Sequence, residues 1–347
     1  MNAHLVPWQI SADEFPADGS AADQLEFLLG YAILAPSPHN TQPWLFRLNA
    51  KDVEIFADPR RALHVADPDG RELAIACGAA IFNLRVAAEH FGRHYQVKIA
   101  PDPGNPYLLA RFQLDLHGAD DVEEVLIFNA ITRRRTCRKA FVDQPMPQEL
   151  LDAWTAAAAH HGVWLQVVRE EPARLAVAEL VAEADRIQWS DKRFRAELAN
   201  WSRAKPFERG DGFPATALGI NEWLSFAGPT LLRSFDRGGG QAATDREIAL
   251  HSPVLAVLGT EADDAPSWMS AGQAMENVLL SACAEEFQAS FLNQPIEVPE
   301  LRPRLAETIG HAGFPQVLIR LGHGPEAAPT PRRAVRQLLV PHLSVHD

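Results

Sequence analysis

The sequence predicts an α+β fold built from two similarly ordered halves, with an additional segment inside the second. Trp44-Leu-Phe-Arg-Leu and Val53-Glu-Ile-Phe-Ala alternate as half-buried strands do, and Asn49-Ala-Lys-Asp joins them as a hairpin. Ile81, Leu84, Ala88 and Phe91 then fall at helical spacing, and strand character returns from Tyr107 to Leu116. Finally, setting Gly78 against Gly272 also aligns Ala80 with Ala274, Asn83 with Asn277 and Ala88 with Ala282, each helix being followed by a Pro-containing connection and a strand.

In chain order, residues 1–20 are polar and broken by Pro7 and Pro16, so they read as an irregular lead-in. Leu25 to Leu34 is a helix that Pro36-Ser-Pro ends. Val125 to Ile131 is a second apolar helix. In the later half Trp164-Leu-Gln-Val-Val matches Trp44-Leu-Phe-Arg-Leu, but at a shorter offset than the glycine helices, so extra residues lie between Arg169 and His251. They read as a helix from Leu175 to Trp201, then a Gly- and Pro-interrupted stretch with Phe207, Phe213, Trp223, Phe226 and Phe235, ending near Gly238-Gly-Gly. A long excursion inside a compact domain is a functional cover or a disordered loop, and the aromatic content argues for a cover, or lid. The repeats are therefore placed at residues 1–120 and 121–347, with the insertion at about 170–250.

The 347 residues, 47% hydrophobic and 22% charged, are enough for an extensive core and unlike a disordered or fibrous chain. A formal net charge of -13 disfavours a nucleic-acid or anionic-membrane partner. Cys77, Cys137 and Cys283 are far apart and form no C-x-x-C pair, so no disulfide framework or zinc site is expected and a reducing cytoplasm fits. Neither a signal peptide nor a membrane-spanning segment is read, and the histidines lack acidic partners at metal spacing.

Signatures for tightly held NAD, a P-loop, a nucleophile elbow or a zinc protease are absent. Arg133-Arg-Arg-Thr-Cys-Arg-Lys follows the helix at Ile131 and puts up to five cations and a hydroxyl at its end. It reads either as a solvated basic helix terminus or as an anion site, in which Arg134 and Arg138 offer guanidinium forks to phosphate. Pro331-Arg-Arg near the C-terminus could close over the same anion. Ala35-Pro-Ser-Pro-His-Asn-Thr-Gln-Pro-Trp presents Ser37, His39, Asn40, Thr41 and Gln42 on a backbone stiffened by three prolines. This is either a capped turn or a rigid polar edge for a heterocycle.

Pro36-Ser-x-x-Asn40-x-Gln42-Pro-Trp44, Arg134-Arg-Thr-x-Arg138 and Pro331-Arg-Arg together resemble the FMN-binding signature of the nitroreductase superfamily over nearly the whole chain. Cys77-Gly-Ala-Ala-x-x-Asn83-Leu and Gly313-Phe-Pro-Gln316 are similar to its twin-domain, single-chain Acg-like branch. The resemblance implies a nitroreductase fold in which two degenerate repeats imitate the family homodimer, so that the monomer is a pseudo-dimer. Ordinary members carry two FMN sites at the subunit interface. Here the second half has Ala159-His-His-Gly-Val-Trp164 in place of the loop, and no arginine motif precedes Leu25, so one composite site per chain is implied.

By the same resemblance, the motif residues Arg134, Arg135, Thr136 and Arg138 with Arg332 and Arg333 hold the phosphate and ribityl chain. Pro36, Ser37, Pro38, Asn40 and Gln42 belong to the loop at the ring edge, and a backbone N–H near Asn293 and Gln294 faces flavin N5. The implied activity is transfer of hydride from NAD(P)H to the flavin and on to a small-molecule acceptor, nitroaromatic or quinone-like, with no catalytic side-chain acid or base. The alternative is a flavin-sequestering stress protein whose lid closes the flavin face.

Overall fold

The computed structural model describes residues 3–118, 125–203, 209–214, 230, 232–233 and 238–341. Helix α1 (Ala21–Ala32) begins at Ser20, whose hydroxyl accepts the Asp23 N–H at 3.2 Å while the Asp23 carboxylate accepts the Ser20 N–H at 2.9 Å. This reciprocal cap fixes the helix start inside the lead-in. Strands β1 (Trp44–Leu48) and β2 (Asp52–Ala57) form the expected hairpin, with Trp44 opposite Ala57. Gly70, at φ 70°, and the Asp67 carboxylate, which accepts the Glu72 and Leu73 N–H groups, start α2 (Arg71–His90). Strands β3 (Arg93–Ile99) and β4 (Leu108–Gly118) complete an antiparallel sheet of order β1-β2-β4-β3.

Helices α3 (Val125–Arg133) and α4 (Gln148–Ala159) lead to β5 (Trp164–Val167). Then come α5 (Glu171–Ser190), α6 (Lys192–Trp201), the short parallel pair β6 (Ser202–Arg203) and β7 (Phe213–Pro214), and α7 (Gly238–Leu250). The chain closes with β8 (Val254–Thr260), α8 (Ala265–Ala284), β9 (Gln288–Phe291), α9 (Gln294–Glu297), α10 (Arg302–Ile309) and β10 (Phe314–Gly322). The second sheet runs β5-β8-β10-β9. Its order repeats the first: outer strand, inner strand, long helix, opposite outer strand, inner strand.

The long helices of the two halves, α2 and α8, cross at Gly78 and Gly272. A Cβ on Gly78 would collide with the Met269 carbonyl, and one on Gly272 with the Ile75 carbonyl, so the helices touch backbone to backbone. The main core, with Leu25, Trp44, Phe46, Ile81, Phe112, Ala274 and Leu279, surrounds this crossing and joins both sheets. Helix α2 is long and apolar enough to cross a membrane, and most of it is buried in this core.

Two strand-like segments of the second half extend the sheets, one reaching the first half and one staying in its own. The tail pairs with β1, where the Phe46 N–H donates to Leu338 O at 2.9 Å and the Val340 N–H to Phe46 O at 2.8 Å. The arginine turn after α3 pairs with β9 through the Cys137 N–H, which donates to Ala289 O at 2.9 Å.

The single helix expected from Leu175 to Trp201 is two. Asp191 interrupts it, its carboxylate accepting the Arg193 N–H at 2.7 Å to start α6. Of the aromatic residues expected in the insertion, Phe213 packs with Trp189, Phe194, Leu198 and Leu232 against Leu63 and Ala66 of the first half. Phe207, Trp223, Phe226 and Phe235 lie outside the described residues. Glu197 of α6 further ties this segment to the first half by accepting the Val65 and Ala66 N–H groups.

Candidate functional site

The loop between α1 and β1 is strained. His39, Asn40 and Gln42 have φ of 51°, 56° and 51°, the left-handed region that non-glycine residues enter at a cost of order 1–3 kcal/mol each. Its side chains hold it there. Ser37 Oγ accepts the Gln42 N–H at 2.9 Å. Asn40 Nδ2 donates to Gly212 O and Pro331 O, both at 3.0 Å, and Gln42 Nε2 donates to Gly210 O at 2.7 Å. Gln42 Oε1 accepts the Arg333 N–H at 2.9 Å. Pro36 is buried, while Ser37 and Pro38 are half-buried. The loop is thus clamped between the C-terminal arginines and residues 210–212 of the insertion.

Arg332 sits behind it, 2% exposed. Its Nε donates to Ile33 O, Nη2 to Leu34 O and Ala35 O, and Nη1 to Asn40 Oδ1, Thr330 Oγ1 and Pro331 O. The guanidinium therefore satisfies the carbonyls left open where α1 ends. Arg134, 4% exposed, donates to Leu34 O at 3.3 Å, bringing the arginine turn onto the same helix end. Arg135 lies 3.7 Å from the Trp8 ring centroid and Arg332 lies 4.7 Å from it, so Trp8 is shared by two guanidinium groups. Burial and mutual repulsion lower the Arg332 and Arg135 pKa values, the latter to about 10.

The carboxylate facing this cluster is Glu276 of α8, fully buried, with Oε1 3.5 Å from Arg134 Nε. Asn83 of α2 donates to the same oxygen at 3.1 Å in the amide orientation that satisfies both its ends. Glu276 Oε2 and Arg134 Nε have no hydrogen-bond partner. Burial pushes the Glu276 carboxyl up to about 7, against the pull of Arg134. Arg134 and Arg332 thus share one acid that is itself partly protonated at neutral pH, while the carboxylate acting on Arg135 is Glu326, and positive charge is in surplus around Glu276 at the junction of the halves.

Arg333 points elsewhere. Its charge acts beside Arg60, Arg61, Asp58 and Asp211, and its Nη1 is buried without an acceptor. Arg138 reaches outward beyond Thr136, which is half-buried and bridges Ala289. Arg138 depresses the His39 pKa, which burial has already carried down to about 4, and His39 Nε2 is buried without a partner. The His39 ring also meets the insertion through Phe213, centroids 5.5 Å apart.

Beyond Arg138 the lining turns acidic. Asn293 caps α9, its Oδ1 accepting the Leu318 N–H at 3.0 Å and its Nδ2 donating to Glu72 Oε1 at 3.1 Å. Gln294 Nε2 donates to both Asp185 and Asp245, and its Oε1 is unpaired. Gln188 donates to Glu297 at 2.6 Å, and burial raises the Glu297 carboxyl to about 7. Among the described residues, no group of three His, Cys, Asp or Glu is arranged to hold a metal ion.

The structure therefore brings the loop, the arginine turn and Arg332 to one junction, with Arg138 extending from it. Gln294 lies with the acidic residues through Asp185 and Asp245, and the Arg333 side chain lies among Arg60, Arg61, Asp58 and Asp211. Sequence reasoning missed Trp8, Glu276, Asp185 and Asp245. Glu276 had a readable signal, being the sole charged residue of α8. The orphaned Arg134 Nε, His39 Nε2 and Gln294 Oε1 and the surplus cations suit a ligand with an anionic end and a polar ring.

The Nitroreductase family model matches residues 131–323. A Mycobacterium tuberculosis (strain ATCC 25618 / H37Rv) protein assigned by name to the NAD(P)H nitroreductases, Rv3131, is 34% identical over 324 residues, 92% of this chain and 91% of that protein. Another of that organism so named, acg, is 31% identical over 340 residues, 94% of this chain and 97% of its own length. Among solved structures, the FMN and NADPH-dependent nitroreductase NfnB from a Sphingopyxis strain aligns over 63% of this chain and 99% of that one, at 17% identity and a TM-score of 0.43.

Proposed function

Because the chain belongs to the nitroreductase family, we propose that it is an NAD(P)H-dependent oxidoreductase with one FMN held where its two halves meet. The observation that carries this reading is the surplus of guanidinium charge around Glu276, beside a strained polar loop, in a protein of net charge -13. Arg134 Nε, Arg135, Thr136 and Arg138 would hold the phosphate and ribityl chain. Arg332, whose donors serve the end of α1, would add its charge and hold the loop in register. The loop residues Pro36, Ser37, Pro38, Asn40 and Gln42 would border the ring, with Asn293 and Gln294 at its N5 side. When bound, the flavin accepts hydride from NAD(P)H and passes it to a nitroaromatic or quinone-like acceptor.

In this reading residues 1–120 and 121–347 are two fused repeats, and the monomer does the work of a dimer. The shared strand order and the Gly78–Gly272 crossing support it. One FMN per chain at monomer mass in sedimentation is the expected stoichiometry. Anaerobic mixing of FMN-loaded protein with NADH or NADPH tests the activity: the flavin absorbance should bleach, and a flavin that neither coenzyme bleaches would reject it.

A sequestering role has its own support in the contacts of Gly210, Gly212 and Phe213 with the loop. If this segment shuts the ring face, Phe213→Ala should accelerate bleaching. An unchanged rate would remove that reading.

A further inference from the structure

Asp185 on α5 and Asp245 on α7 face one another beneath α9. One amide, Gln294 Nε2, donates to Asp185 Oδ1 at 3.3 Å and to Asp245 Oδ2 at 3.0 Å. Gln241 Nε2 donates to the same Asp245 oxygen at 3.0 Å. Asp185 is 2% exposed, its Oδ2 has no hydrogen-bond partner, and its carboxyl is in hydrogen-bonding relation with that of Asp245. Two acidic oxygens in that relation repel unless a proton lies between them, and a buried pair of this kind ionises in two separated steps.

The charged groups acting on the pair are Arg138, Arg186, Arg320 and Glu297. Arg320, 1% exposed, gives Nη2 to Cys137 O and Lys139 O, while its Nε and Nη1 have no acceptor. A neighbouring cation allows the second carboxylate to ionise transiently. Burial and the Asp245 charge hold Asp185 up to about 8, so the proton is present at neutral pH.

We propose that Asp185 and Asp245 share one proton beside the ring and deliver it to the electron acceptor. The inference rests on the FMN reading above and departs from the expectation that no side-chain acid takes part. Reduction of a quinone or nitro oxygen needs a hydride equivalent and a proton. The hydride, originally from NAD(P)H, arrives from the reduced cofactor and leaves an oxyanion on the acceptor. The O–H bond forms as the shared proton leaves the pair, both carboxylates are then ionised, and one proton returns from water. With a quinone the sum is NAD(P)H, H+ and quinone giving NAD(P)+ and hydroquinone.

Infrared spectroscopy of the cofactor-free protein tests the shared proton without any turnover. In the wild-type-minus-variant difference spectrum at pH 7, where the Glu276 and Glu297 contributions cancel, a protonated-carboxyl band that shifts in D2O should appear for both Asp185→Asn and Asp245→Asn, because each change frees the remaining acid to ionise beside Arg320. A difference spectrum without such a band for either variant overturns the proposal. Should the variants not fold, the wild-type band and its loss on titration above pH 8 decide the question.

In FMN-loaded protein, the ratio of acceptor-reduction rate to flavin-reduction rate with a simple quinone should fall by about 100-fold in each variant, as for a lost general acid. Equal loss in both half-reactions means that the pair only positions the cofactor, and overturns the proposal. Failure of the wild type to take up FMN rejects the cofactor reading instead, while the infrared result stands separately.

Discussion

At the end of the site nearest α1, Arg134 and Arg332 crowd around Glu276, with Arg135 beside them under the charge of Glu326. At the other, α5, α7 and α9 gather Asp185, Asp245 and Glu297 among amide donors, with Arg320 and Arg138 at the border. The guanidinium groups are fixed by carbonyls and an indole, so their charge is static and only Glu276 titrates at this end. Burial raises all three carboxyls and lets Asp185 and Glu297 retain protons near neutrality, so the charge at this end changes with pH. A site polarised in this way suits a ligand with a permanent anion at one end and proton-coupled chemistry at the other.

The largest expected effect attacks the static end. Arg332→Ala removes six hydrogen bonds and leaves the carbonyls of Ile33, Leu34 and Ala35 without that donor. Urea denaturation should record a loss of about 4 kcal/mol, the result of leaving several buried groups unmet. A loss below about 1 kcal/mol would mean that this end is not the rigid one.

The pH-sensitive end sharpens the contrast. The folded Glu297 holds its proton up to about 7, well above the ordinary carboxyl value, so the folded state binds a proton that the unfolded chain has already shed. Stability from this group is full below the unfolded pKa and is lost as pH rises through about 7. The fall amounts to about 3 kcal/mol. Glu297→Gln should remove that part of the slope in denaturation curves taken between pH 4.5 and 8, and an unaltered slope would contradict the assignment.

For the ligand, Arg134→Ala should weaken FMN binding by about 1.5–3 kcal/mol in calorimetry, the range for a hydrogen bond to a charged group. Inorganic phosphate should likewise stabilise the wild type more than this variant. Equal effects would show Arg134 to be only a structural partner of Leu34 and Glu276. The smallest change is Arg135→Ala, about 1 kcal/mol from the lost contact with Trp8, read in stability and in the indole fluorescence.

What was legible in the sequence is what local chemistry encodes. Prolines mark the loop, alternation marks the β1–β2 hairpin, and the glycine match at Gly78 and Gly272 identifies the helices that cross. Strands β3 and β9 escaped because one is half-exposed along its length and the other is four residues long. The break at Asp191 carries neither Gly nor Pro, only a capping side chain in a run of helix formers. Asp185 and Asp245 are separated by 60 residues and become a pair only through Gln294, which no local pattern reveals. Arg332 was read as a phosphate ligand, yet its donors go to the end of α1, because a guanidinium suits unsatisfied carbonyls as well as it suits an anion.

The contact at Gly78 and Gly272 acts as an axle without clearance. The main core belongs to neither half alone, since each of the two crossing helices buries its face against the other's main chain. Cutting the chain between them should yield two fragments that fold only on recombining, and drift at either glycine is policed by the opposite half. A protein so joined can let its halves diverge in their loops while the pivot between them stays fixed.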